Sequence, residues 1–174
     1  VQLAESEGYL VRAGRRLRVQ RIPELLEQWA YFQLNKPDRT LSVRSLYPGE
    51  GLDDVLHRTE EGAAVLAGHA AAHALQLSIS NVRRGHLYVH EFDRACRELE
   101  LAESGPSEEA FPLVRPKAED AVFHAAINSA QAVPVADVLQ VYLDVYLDAA
   151  RGREQAAHIF ETILAPHWGK RQWL

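Results

Sequence analysis

Apolar and polar residues alternate twice in quick succession near the start of the chain, over residues 9–12 and again over residues 16–20, with Ala13 and Gly14 between the two runs. A period of two is that of a strand with one covered face, and two such runs joined through a glycine make a β-hairpin. Before it, Leu3, Ala4 and Glu7 followed by Gly8 read as the last turns of a helix stopped by a residue that tolerates the left-handed conformation. After it the period lengthens. Leu25, Leu26, Trp29 and Phe32 form one wide apolar stripe behind Pro23, which suits a first helical turn because its missing N–H costs nothing there.

Asn35, Lys36, Pro37 and Asp38 cluster turn formers and make the best linker. Beyond them, residues 40–46 alternate as a strand ending at Pro48 and Gly49, and Leu52, Val55 and Leu56 give a short helix. Residues 62–77 are rich in Ala and Leu, small enough for close packing against a neighbour. Residues 86–90 are expected as a strand and residues 92–101 as a helix turning Phe92, Ala95, Cys96 and Leu99 inward. Residues 103–109 read as an exposed turn. Residues 111–114 and 121–123 read as short buried extended pieces on either side of Pro116. Residues 135–149 are apolar on nearly every face and predict a largely buried helix. Arg151 and Gly152 break it, and residues 154–164 form a last amphipathic helix with Ala157, Phe160 and Leu164 on one stripe. The tail carries Trp168 and Trp173 beside Lys170 and Arg171, a composition that docks on its own domain or on a partner.

The chain has 174 residues, enough for one well-buried domain or a small module joined to a larger one. With 47% hydrophobic and 25% charged residues it has the make-up of an ordinary globular protein. No apolar stretch approaches the roughly 20 residues of a membrane span, and no secretory leader opens it. The single cysteine, Cys96, forms no intrachain disulfide, which favours a reducing cytoplasm. Arg greatly outnumbers Lys, Met is absent and the first residue is Val. The natural protein is therefore expected to extend further at its N-terminus.

Charge changes the picture at one place only. Arg12, Arg15, Arg16, Arg18 and Arg21 are threaded between Tyr9, Val11, Leu17 and Val19, although the chain as a whole carries a net charge of −5. The hairpin is expected to set its apolar face down and its guanidiniums outward. A local cationic ribbon on an acidic protein points to a polyanionic partner, with nucleic acid the leading candidate. The plainer alternative is a solvated Arg-rich surface.

Three stretches carry a likeness to a known family. Gly8, Tyr9, Leu10, Val11, Arg12 through Arg16, Leu17, Arg18, Val19, then Pro23, Glu24, Leu25, Leu26, Trp29 and Ala30 look like a wing and the helix leaving it. Phe111, Pro112, Leu113, Val114, Arg115 and Pro116 with Ala121, Val122 and Phe123 look like a mid-domain strand and loop. Gln140, Val141, Tyr142, Leu143, Asp144, then Arg151, Gly152, Arg153, Glu154, Gln155, Ala156 and Ala157, look like a C-terminal helical pair. In this order the chain resembles bacterial winged-helix transcriptional regulators related to the AbiEi antitoxins of type IV toxin–antitoxin systems. The resemblance implies an α+β fold: the C-terminal part of a winged helix-turn-helix over residues 1–35, followed by a mixed α/β regulatory or interaction domain over residues 36–174.

It also implies a function. The chain would belong to a cytoplasmic DNA-binding transcriptional regulator, with an antitoxin role as the narrower version, and would not be an enzyme. Arg12, Arg15, Arg16, Arg18 and Arg21 would contact phosphates of double-stranded promoter DNA and supply affinity without base discrimination. Base reading would fall mostly to residues upstream of Val1. The second domain would serve self-association or a protein partner, and no cofactor is implied.

Other residues raise competing chemistry. His69 and His73 lie four apart in an expected helix, and His86 and His90 four apart in an expected strand, spacings that zinc ligands use. His57 or Glu91 would have to complete such a site, and histidines bonded to backbone are the commoner outcome. Asp144 and Asp148 share a helix face with Asp137 earlier, an arrangement able to hold Mg²⁺ or to act as acid and base. Arg151 and Arg153 nearby favour ion pairing instead. Glu119 and Asp120, with Lys117 before them, make a weaker nuclease-like pair. The alternatives to the regulator are thus a metal-dependent nuclease or nucleotidyl-transfer enzyme, and a pure protein-interaction module.

Overall fold

The computed structural model describes residues 5–14, 16–34, 39–57, 63–81, 84–105, 110–116, 122–123, 127–128, 133–149 and 151–170. Gly8, at φ +77°, ends a short helical turn, and its N–H donates to the Glu5 carbonyl at 3.1 Å; Leu3 and Ala4 of the helix expected before it lie outside the described residues. Strands β1 (Leu10–Ala13) and β2 (Arg16–Val19) then pair antiparallel, with Ala13 opposite Arg16. Gly14, at φ +66°, opens the two-residue connection, a position where a side chain would be strained. This hairpin is a sheet of its own, separate from the main one.

Helix α1 (Ile22–Leu34) follows directly. Its stripe splits in use: Leu26 and Ala30 are buried in the main core, whereas Trp29 and Phe32 remain largely exposed. The expected linker at residues 35–38 lies outside the described residues.

Among the described residues the main sheet has seven strands: β3 (Arg39–Ser45), β4 (Ala64–Ala67), β5 (Gly85–Val89), β6 (Leu101–Glu103), β7 (Phe111–Arg115), β8 (Ile127–Asn128) and β9 (Pro134–Val135). Their order is β6-β3-β7-β5-β4-β9-β8. Pairing is mixed: β5 runs parallel to β7 and β4 to β9, and the other neighbours are antiparallel. β3 keeps the alternation of its sequence, with Val43 and Ser45 buried and Thr40, Ser42 and Arg44 exposed. Central β4 is buried at every position, which is why it reads as a continuous Ala-Val-Leu-Ala run.

Helices α2 (Leu52–His57), α3 (Gly68–Ala74), α4 (Phe92–Glu98), α5 (Val138–Tyr146), α6 (Gly152–Ile159) and α7 (Ala165–Lys170) complete the fold, with a π-helical turn over Phe160–Leu164 between the last two. α5 is the helix packed against α3, α1 and α6 and lies beside β4. Burying Val141, Leu143 and Val145 contributes roughly 1.5–3 kcal/mol apiece. Its first turn is capped by Asp137, whose Oδ1 accepts the Leu139 N–H at 2.8 Å.

Four expected elements need correction. The Ala/Leu-rich run over residues 62–77 is divided between β4 and α3 at Gly68, which sits at φ +71°. The helix expected through residue 101 stops at Glu98, and Leu101 instead pairs with Ser45 as an edge strand, because burying Leu101 beside β3 outweighs one more helical turn. Val122 and Phe123 lie in a helical turn rather than a strand. The apolar run from residue 135 begins as β9 and becomes helical only after Asp137.

Candidate functional site

Two groups of side chains stand out: the hairpin arginines, and a histidine–carboxylate cluster beneath α5.

Register decides what the hairpin presents. Residues directly opposite in an antiparallel pair share a face. Leu10 faces Val19 and Arg12 faces Leu17, whereas Val11 faces Arg18 and Ala13 faces Arg16. The cationic positions are therefore divided between the two faces instead of lying on one. Leu10 and Val19 are half-buried, so their face is turned inward; Val11 and Arg18 are exposed. Arg12, on the inward face, reaches Glu5 at 3.0 Å. Arg21, in the left-handed region at φ +50°, approaches Glu24 at 3.5 Å and lies over the Tyr9 ring, 5.2 Å from its centroid.

Two of the five arginines expected at the interface are thus engaged by acids of the chain itself. Arg18 is exposed and makes no ion pair among the described residues. Arg15 lies outside the described residues, and Arg16 is placed only by its strand position. The Arg12 and Arg21 pairs are open to solvent, and exposed pairs of this kind are worth about 0–1 kcal/mol. A phosphate can displace such an acid at little cost.

The buried cluster departs from its sequence reading. His69 on α3 and His86 on β5 are not matched with His73 and His90 as ligand pairs. His69 Nε2 stands 3.6 Å from Asp148 Oδ1, and His86 Nε2 stands 3.8 Å from Asp144 Oδ2. His90 instead stacks on Phe123, ring centroids 3.9 Å apart. Asp144 Oδ1 accepts the Tyr88 hydroxyl at 2.9 Å and Gln140 Nε2 at 2.7 Å. Burial pushes the Asp144 carboxyl above the usual carboxylate range, against the opposing pull of His86, Gln140, Tyr88 and the Gly68 amide.

The expected pairing of Asp144 and Asp148 with Arg151 and Arg153 does not form. Arg151, itself left-handed at φ +64°, turns to Glu154 with Nε 2.8 Å from Oε2, and Arg153 donates to the Tyr31 hydroxyl at 2.9 Å. The tight α5–α6 join aims both guanidiniums away from the cluster. Among the described residues, no three His, Cys, Asp or Glu side chains converge as metal ligands would. Lys117, Glu119 and Asp120 lie outside the described residues. Cys96 is half-buried on α4, and burial together with Asp93 and Glu103 raises its thiol pKa.

Sequence reasoning missed Tyr88 and Gln140 as members of this cluster, and Gln155 as a buried polar residue. A polar residue at an inward position of an otherwise apolar helix was the available signal for Gln140, whereas the Gln155 helix is too polar to single that residue out.

No family model, curated protein or solved structure matches the chain.

Proposed function

We propose that the chain belongs to a DNA-binding transcriptional regulator in which the β1–β2 hairpin lies along the phosphate backbone as a wing. The single observation that carries this reading is a hairpin separate from the main sheet, bearing exposed Arg18 and solvent-open Arg12 on a chain of net charge −5. An acidic body repels DNA everywhere except where cations are concentrated, so contact is confined to the hairpin. Helix α1 leaves it and anchors Leu26 and Ala30 in the main core, fixing the hairpin to the larger domain. A role as promoter-bound antitoxin is the narrower form of the proposal, supported by the likeness of three stretches to AbiEi-related regulators.

The test is fluorescence anisotropy of the full-length gene product on its own promoter duplex and on a scrambled duplex, between 50 and 200 mM salt, a range that resolves counterion release. Arg18→Glu is expected to weaken both duplexes alike and to flatten the slope of log K against log salt by roughly one. Glu5→Gln, which frees Arg12, is expected to tighten both. Binding unchanged in both variants would overturn the reading.

A further inference from the structure

Two residues, Gln20 and Arg21, join β2 to α1, and the hairpin they follow pairs with no strand of the main sheet. Sheet pairing therefore does not fix its posture on the larger domain, and the join bears on it directly. Most of the backbone around the join is held. The Gln20 N–H donates to the Tyr9 carbonyl at 2.7 Å, which carries the ladder one pair beyond Leu10 and Val19. Pro23 locks φ in the first turn of α1, and Ile22 packs against the main core. Arg21 is left between them.

Arg21 stands at φ +50°, in the left-handed region. A residue with a Cβ is strained there, and such a conformation persists only where its surroundings hold it. Two side-chain contacts hold this one. The guanidinium carbon lies 5.2 Å from the centroid of the Tyr9 ring, within the range of a cation–π contact, and Nε stands 3.5 Å from Glu24 Oε1. Tyr9 leads into β1 and Glu24 lies in the first turn of α1, so one side chain spans both sides of the join. The Arg21 carbonyl also accepts the Leu25 N–H at 3.0 Å, closing that first turn.

We propose that Arg21 is the positioning residue of the wing: a left-handed joint whose guanidinium, seated between the Tyr9 ring and the Glu24 carboxylate, holds the hairpin at one angle to α1 and does not contact phosphate. Its effect on affinity rests on the DNA-binding reading given above. Arg12 and Arg21 differ accordingly. Arg12 sits within a strand, and its guanidinium exchanges Glu5 for a phosphate without a change of backbone. Arg21 cannot leave the Tyr9 ring without freeing the joint. The cations are thereby divided into contacts, Arg12 and Arg18, and a holder, Arg21.

The experiment begins with ¹⁵N relaxation NMR of the full-length gene product, which needs no DNA. Hairpin amides are expected to be as ordered as those of the main sheet, with order parameters of about 0.85. Tyr9→Leu removes the ring, and Arg21→Gly removes the guanidinium while placing at φ +50° a residue that adopts it freely. Both are expected to lower the hairpin values toward about 0.6 with the main sheet unchanged, and Tyr9→Phe, which keeps the ring, to match the parent. On the promoter duplex the same two variants should weaken binding about two- to fivefold at every salt concentration, the value of one exposed guanidinium–ring contact. The slope of log K against log salt should stay that of the parent, and Tyr9→Phe should bind as the parent does. A slope flattened by roughly one in Arg21→Gly would make Arg21 a phosphate contact and overturn the joint. Hairpin order, or duplex affinity, unchanged in both variants would overturn it as well. A parent that binds no duplex at low salt would overturn the wing reading instead, while the relaxation data still decide the joint.

Discussion

Gln155 has no exposure to solvent, yet it is a polar residue on a helix. Its side chain ties α6 to the segment after α3, donating through Nε2 to the Leu77 carbonyl at 2.7 Å and accepting the Ile79 N–H on Oε1 at 3.0 Å. Leucine has nearly the same volume, so Gln155→Leu leaves packing intact and deletes both bonds. Each removes a net 0.5–1.5 kcal/mol, and a buried backbone group left without a partner costs about 1–3 kcal/mol. Leu77 is buried and suffers the full penalty, whereas half-buried Ile79 recovers part of its bond from water. Leucine's own burial offsets a methylene's worth, about 0.8 kcal/mol. The expected loss is therefore about 2–3 kcal/mol, read as a lower urea midpoint at unchanged slope. Gln155→Glu should lose more, because a carboxylate cannot donate to the Leu77 carbonyl. A loss below about 1 kcal/mol for Gln155→Leu would refute the claim that these two bonds hold the segment.

Gly85→Ala should destabilise by several kcal/mol, since a Cβ there would come within 2.5 Å of the Ala70 Cβ and 3.0 Å of the Ala67 carbonyl; thermal unfolding measures it, and a variant as stable as the parent would contradict the close β4–β5–α3 corner. Tyr142 is held with its phenol pKa pushed up to about 12, first by burial and then by Tyr146 and Glu27. The folded protein therefore keeps that proton after the unfolded chain has lost it near pH 10, and stability should drop as pH rises from about 10 to about 12. Absorbance titration of tyrosinate checks this, with Tyr142→Phe expected to remove part of the pH dependence.

The hairpin and most helices were legible because their periods are local properties of the chain. The buried members of those elements were legible only in part: Val19 and Leu26 fall where a period of two and then 3.6 places them, whereas Leu10 and Ala30 turn inward and the expected Val11, Trp29 and Phe32 are exposed. What was not legible depends on partners remote in sequence. Leu101 becomes a strand because β3 is beside it, and β4 gives way to α3 at Gly68, whose φ of +71° is a turn that the Ala- and Leu-rich run does not announce. The candidate interface divides in the same way. Five arginines could be seen, but the placing of Arg12 on one face and of Arg16 and Arg18 on the other follows from a register in which Ala13 is opposite Arg16, and the Arg12–Glu5 pair from the approach of the preceding turn to the strand. For Asp144 the sequence offered Arg151 and Arg153 as neighbours, whereas its actual company, His86 and Tyr88, lies 58 and 56 positions earlier.

The two regions are physically connected through α1. That helix begins three residues after β2 ends, and its Glu27 accepts the Tyr146 hydroxyl of α5 at 2.9 Å. Tyr31 one turn later meets the Tyr146 ring edge-on at 6.5 Å and receives Arg153 from α6. Tyr146 therefore ties α5 to α1 through a hydrogen bond and a ring contact, with the Arg153 guanidinium of α6 closing the group. Helix α1, 13 residues and about 20 Å long, carries that anchorage up to the hairpin. Tyr146→Phe removes the Glu27 bond without emptying the space, and a part-buried hydrogen bond of this kind is worth a net 0.5–1.5 kcal/mol, so the variant is expected to show a lower urea midpoint at unchanged slope; a midpoint equal to that of the parent would show that α1 is held by Leu26 and Ala30 alone.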